Sequence, residues 1–120
     1  MTGSDYERQL ARKLDEQGYH VIRAPSSGSA TQRDLPDLAY SKPGETPVFL
    51  ELKTTAKNVA YYTDDEVQAL SRFATAFNGR RGLCARFKGD TNYYLCAPID
   101  ARITDSGRYA VDRDLKLEIL

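Results

Sequence analysis

The chain has 120 residues, 41% of them hydrophobic, enough to close one core and too few for two, so a single domain over 1–120 is predicted. Seventeen basic and seventeen acidic residues cancel to a net charge of zero, which excludes polyanion binding by bulk charge and leaves only local segregation of charge as a route to it. Two cysteines exclude a disulfide framework, no run approaches the roughly 18 to 20 apolar residues that span a bilayer, and MTGSDYERQL lacks the apolar core of a signal peptide, so the chain reads as soluble, intracellular and cytoplasmic.

No internal repeat, low-complexity tract or shift of composition divides the chain. Residues 4–17 are predicted as a helix, with Ser4 as N-cap, Glu7 at the third helical position and Gly18 just past the end. YHVIR (19–23) reads as a short strand. APSSGSATQRD (24–34) holds Pro, Gly and four Ser or Thr residues, the composition of a loop. DLAYS and VFLELKT read as two strands joined by the turn-forming KPGE. A second helix is predicted over 64–77: Thr63 and Glu66 supply a capping box, Tyr62 staples against Val67, and Asn78-Gly79 closes it. Its apolar stripe is Val67, Leu70, Phe73, Ala74 and Phe77. GLCARF and NYYLCA suggest a hairpin around Gly89-Asp90, which would set Cys84 opposite Cys96 as free thiols. The tail, 98–120, is mixed. Helix, three strands, helix, two strands is the order of an α/β fold with a central mixed sheet flanked by helices.

Charged residues interrupt the apolar runs at three places. Side chains in VFLELKT alternate between faces, so Glu51 and Lys53 project together with Phe49, away from Val48, Leu50 and Leu52. A bare E-x-K is most often a solvated pair on an edge strand. Here Pro36-Asp37 lies fourteen residues before Glu51, a spacing that fits two adjacent strands and a turn. Two carboxylates brought that close repel each other, and burying either costs several kcal/mol unless something compensates. A divalent cation is the natural compensation. Glu7 has two readings. It occupies the capping-box position relative to Ser4, and it also shares the inward face with Leu10, Ala11 and Leu14, which would aim a third acid at the sheet.

GSDYER, RAPSSGS, LPDLAY and FLELK, with YYTDDEVQALSRFATAFNG and TDSGRYAVD following in order, resemble the archaeal Holliday junction resolvases of the PD-(D/E)xK nuclease superfamily. The resemblance covers almost the whole chain. It implies a restriction-endonuclease-like nuclease fold and a homodimeric, Mg²⁺-dependent endodeoxyribonuclease that cuts four-way DNA junctions by paired nicks in recombination and repair. Carried over by residue, it makes Asp37 and Glu51 metal ligands, has Glu7 complete the site, and sets Lys53 beside the attacking water. Ser27 matches a serine that assists cleavage. Arg8 and Arg23 match positions near the substrate backbone, with Ser29 and Lys57 as further DNA contacts. The aromatic helix implies a dimer interface at Leu70, Phe73 and Phe77.

The chemistry of the residues agrees with that assignment. Mg²⁺ takes oxygen ligands and keeps several waters, so two or three carboxylates suffice, Mn²⁺ can substitute, and neither an organic cofactor nor a histidine is required. His20, the one histidine, reads as a strand residue. Arg8, Arg12, Lys13, Arg23 and Arg33, and later Arg80, Arg81, Arg86 and Lys88, would form a DNA surface if they segregate from Asp64, Asp65 and Glu66. Two other readings share the fold: another nuclease of the superfamily, restriction-like or for repair, and a DNA-binding module without catalysis. The intact set Glu7, Asp37, Glu51 and Lys53 argues against the second.

Overall fold

Strand β3 (Val48–Thr55) is the centre of the molecule, and its sequence explains why. Val48, Phe49 and Leu50 are buried in succession, the pattern of a strand covered on both faces. In this computed structural model, which describes residues 1–24 and 35–120, β3 lies between β2 (Leu38–Ser41) and β5 (Arg80–Phe87). It pairs with β2 in antiparallel fashion and with β5 in parallel. The six-stranded sheet is completed by β1 (His20–Arg23) on one edge and by β6 (Tyr94–Cys96) and β9 (Glu118–Ile119) on the other, in the order β1-β2-β3-β5-β6-β9. A second sheet, β4-β8-β7, is built from β4 (Val59–Tyr62), β7 (Arg102–Ile103) and β8 (Tyr109–Asp112). A short 3-10 turn, Pro98–Asp100, precedes β7.

Helix α1 (Gly3–Glu16) covers one face of the large sheet with Leu10 and Leu14, packed on Leu38, Leu50, Cys84 and Leu95. Helix α2 (Asp64–Ala76) covers the other with Val67, Leu70 and Ala74, packed on Phe49, Leu83 and Phe87. The parallel β3–β5 pair needs a crossover, and β4 with α2 supplies it. Gly18, at φ +92°, ends α1, and Asn78, at φ 54°, follows α2, both left-handed residues at helix C-termini as expected.

Several expectations need correction. Helix α1 begins earlier than predicted: Thr2 is the N-cap, and Asp5, not Glu7, completes the box, with Thr2 N donating to Asp5 Oδ2 at 2.8 Å. Glu7 is thereby free of any capping duty. Strand β4 was not anticipated, because its partner β8 is some fifty residues away and a non-local pairing leaves no local signal. Cys84 and Cys96 do not face each other. The β5–β6 register pairs Cys84 with Leu95 and Cys96 with Leu83, so one thiol lies in the α1-side core and the other in the α2-side core. Leu70 is 1% exposed inside the subunit core and offers no surface to a partner. Phe73 is half-buried, and Phe77, the C-cap residue, stands 60% exposed and stacks on Phe49 at 5.4 Å.

Candidate active site

At residue 51 the core face of β3 turns polar. Glu51 and Lys53 project to the α2 side, as alternation requires. Asp37 stands just before β2, and two bonds lock it to the same strand. Its N–H donates to Leu50 O at 2.9 Å, and its carboxylate Oδ2 accepts the Leu52 N–H at 2.7 Å. The side chain thus takes over the ladder position where β2 leaves off, which holds the carboxylate between Glu51 and Lys53 without a rotamer search. Ala24 N donates to Asp37 O at 3.1 Å and ties in the end of β1.

Glu7 comes from α1 and faces Asp37, whose charge it feels. Arg23 Nη2 lies 3.8 Å from Glu7 Oε1 and donates to Ser4 Oγ at 3.2 Å, so this arginine braces the helix start against β1. Lys53 Nζ donates to Glu66 Oε2 at 2.6 Å. Glu66 is the residue that sequence reasoning missed at this site. Its Oε1 accepts the Thr63 N–H at 2.9 Å in the predicted capping box, and its second oxygen holds the lysine. The capping motif accounted for the acid completely, so only the packing of the α2 N-terminus on the Lys53 face of β3 could have revealed its other partner.

The electrostatics follow from burial and crowding. Burial pushes the Asp37 carboxyl up, against the pull of the Leu52 N–H and Lys53. Glu51 is pushed further, to about 8, by burial first and then by the neighbouring charges of Asp37 and Glu66, with Lys53 opposing. Burial and Asp37 raise Glu7, while Arg23 acts against them. At Glu66 burial also acts upward, but hydrogen bonds from Lys53 and Thr63 outweigh it and the carboxyl stays below its usual range. Lys53 is thus engaged by Glu66, and the Asp37–Glu51 pair is left short of positive charge.

A hard divalent cation fits that deficit. Among the described residues no three acidic, His or Cys side chains close into a single cage. An ion here would draw two carboxylates from Asp37 and Glu51 and fill its remaining positions with water or phosphate oxygens, the habit of Mg²⁺. Glu7 stands across from Asp37 with Arg23 beside it.

Ser27 and Ser29, with Arg33, fall in 25–34, outside the described residues. Arg8 is exposed and paired with Asp5 at 3.1 Å. Lys57 is exposed in the turn between β3 and β4, its N–H donating to Thr55 Oγ1 at 3.1 Å. His20 is an exposed strand residue, as expected.

Comparison with known proteins now bears on this geometry. The family model for archaeal Holliday junction resolvase matches residues 1–120. The crossover junction endodeoxyribonuclease Hjc of Methanocaldococcus jannaschii is 30% identical over 117 residues, covering 95% of this chain and 78% of that one. Its counterpart from Sulfolobus acidocaldarius is 31% identical over 111 residues, 92% and 76% of the two chains. Among solved structures, the Archaeoglobus fulgidus Holliday junction resolvase Hjc superposes with a TM-score of 0.80 at 23% identity, covering 92% of this chain and 88% of that one, which establishes the shared restriction-endonuclease-like fold. A nuclease fold, a family model matched end to end and two curated relatives matched over more than three quarters of their own length agree, and the chain belongs to the archaeal Holliday junction resolvase family.

Proposed function

We propose that this chain is a structure-selective endodeoxyribonuclease that resolves four-way DNA junctions by paired nicks, as a homodimer, with Mg²⁺ held at Asp37 and Glu51. The observation that carries the reading is the close carboxylate pair just before β2 and in β3, short of charge and set beside Lys53 in a chain of this family. When bound, the ion would polarise the scissile phosphate and lower the pKa of a water molecule.

The chain's own groups do the rest. The Leu52 N–H fixes the Asp37 carboxylate and sets the direction of its free lone pairs. Glu66 holds Lys53 Nζ by one hydrogen bond, which leaves the ammonium two protons for the water or the phosphate. Hydrolysis forms one bond from water oxygen to phosphorus and breaks one phosphorus–oxygen bond to the strand; the departing oxygen takes up a proton.

Pairing of the nicks calls for two such sites at fixed separation, and an exposed apolar region supports the reading of a second subunit. An apolar groove of about 260 Å³ opens among Ile22, Pro36, Ala39, Phe49, Phe73 and Phe77. Ile22 is 73% exposed beside it and Phe77 60%, exposure that favours an isologous partner. The test is to offer the protein, with Mg²⁺, a four-way junction, a Y-fork and a linear duplex of the same sequences. Efficient, paired cutting of the junction alone supports the reading; equal cutting of linear duplex would replace it with a restriction-like nuclease.

A further inference from the structure

The end of β5 carries a second cationic feature, on the opposite face of the sheet from Lys53. In GLCARFKG the alternation of β5 places Cys84 in the α1-side core and Arg86 on that same side, at the margin where α1 begins. Register pairs Arg86 with Thr54 and Phe87 with Thr55, and Lys88 N donates to Thr55 O at 2.8 Å. Thr54, Thr55, Arg86 and Lys88, with Tyr6, line an open groove of about 360 Å³.

Arg86 is held there. Its guanidinium carbon lies 4.6 Å from the Tyr6 ring centroid and 5.5 Å from that of Tyr93. Tyr93 is itself locked, its hydroxyl bonded to Gln9 Oε1 and to Tyr6 O at 3.1 Å. Arg86 Nε is buried without a hydrogen-bond partner among the described residues. Nor does any described carboxylate pair with Arg86 or Lys88, whereas Arg8, Arg23, Arg80, Arg102 and Arg113 all have acidic neighbours. Asp90, two residues beyond Lys88, is turned instead to Tyr94, Asn92 and Arg113. An arginine pinned by two aromatic rings, denied a counter-ion and set over a groove with two threonine hydroxyls and a lysine is organised for an external anion. A guanidinium fork matches phosphate oxygens in pairs, and one already fixed loses little freedom on binding.

We propose that the groove of Tyr6, Thr54, Thr55, Arg86 and Lys88 is a phosphate-binding subsite for the sugar–phosphate backbone of a DNA arm, anchored by Arg86. This rests on the junction-cutting reading and deepens it. Thr55 is two residues past Lys53, about 7 Å along the strand at the usual rise. A backbone crossing the end of β3 would therefore meet the carboxylate pair on one face and Arg86 on the other. The subsite holds and orients the arm, so it contributes to binding and not to the chemical step.

The test is equilibrium binding of metal-free protein to a four-way junction across a salt series. Arg86→Met keeps much of the aliphatic stem between the tyrosines and removes the charge. It should weaken binding about tenfold at low salt and flatten the dependence of log K on log salt by about one phosphate contact. Arg86→Lys should keep the wild-type slope. Lys88→Gln, on an exposed side chain, should flatten the slope as Arg86→Met does. Single-turnover cleavage at saturating protein should stay within about threefold of wild type for all three, the separation of binding from chemistry that a positioning role requires. A wild-type slope in folded Arg86→Met overturns the proposal. Should Arg86→Met fail to fold, Lys88→Gln decides alone, and an unchanged slope there overturns it equally. If wild-type protein prefers no junction over linear duplex, it is the junction-cutting reading that falls, and the same slopes measured on duplex still decide the subsite.

Discussion

The two halves of β3 belong to one continuous strand and answer to different demands. Val48, Phe49 and Leu50 fill the cores on both faces, while Glu51, Lys53 and Thr54 keep the same alternation and carry charge and hydroxyls instead. Nothing in the backbone separates them. What changes is the neighbour: β2 begins at Leu38, and just before it Asp37 meets β3 with a carboxylate in place of a main-chain carbonyl. The lesson is that the site is made by starting a strand one residue late, and its cost is two half-buried acids that repel each other.

Substitutions can pull the halves apart. The largest effect belongs to the polar half. Asp37→Asn or Glu51→Gln should lower junction cleavage by several orders of magnitude with fold and junction binding retained, since each removes charge that would anchor the cation. Glu51→Gln should also stabilise the metal-free protein. The folded-state pKa of Glu51 is raised to about 8, so the stability contributed by its protonated form is complete below the unfolded value of 4.5 and lost as pH rises through about 8. Gln does not ionise and escapes that loss. The advantage in Tm of Glu51→Gln should therefore grow between pH 5 and pH 9, and a constant difference would contradict the repulsion described above.

In the apolar half the sign reverses. Leu50→Ala, at a side chain 0% exposed, should cost about 2–5 kcal/mol in denaturant unfolding, with junction cleavage by the remaining folded protein close to normal at low temperature. Phe77→Asp lies between the two regimes. The ring is exposed and touches Phe49 from outside, so sedimentation should report folded monomers; a folded dimer would place the interface elsewhere.

The smallest effect separates two capping boxes that look alike in sequence. Asp5 bonds Thr2 and the exposed Arg8, and Asp5→Asn should lower stability only slightly and leave cleavage unchanged. Glu66 bonds Thr63 and also Lys53, so Glu66→Gln should show a similar loss of stability together with slower cleavage. Equal cleavage by the two variants would reduce Glu66 to a cap.

The same residues show what a sequence reveals. Pro36-Asp37 and Glu51-x-Lys53 were legible because period two and a short turn bring them together with no knowledge of the rest of the chain. The second capping box and the glycine after the first helix were legible for the same local reason. Strand β4 was not, since its partner β8 lies in a tail with weak strand signals. The misplaced cysteines show how little separates success from failure in a hairpin. A register shifted by one residue pairs Cys84 with Leu95 in place of Cys96, and that single step sends the two thiols to opposite cores. Glu66 was read correctly as a cap and incompletely as a neighbour of Lys53, because one carboxylate had two oxygens to spend.

The most direct test of the charge-deficient carboxylate pair needs no DNA. Thermal unfolding with and without Mg²⁺, at a pH above 8 where Glu51 is ionised, should show a metal-dependent rise in Tm for the wild-type chain that is lost in Glu51→Gln and Asp37→Asn. An equal rise in all three proteins would put the ion somewhere other than between Asp37 and Glu51.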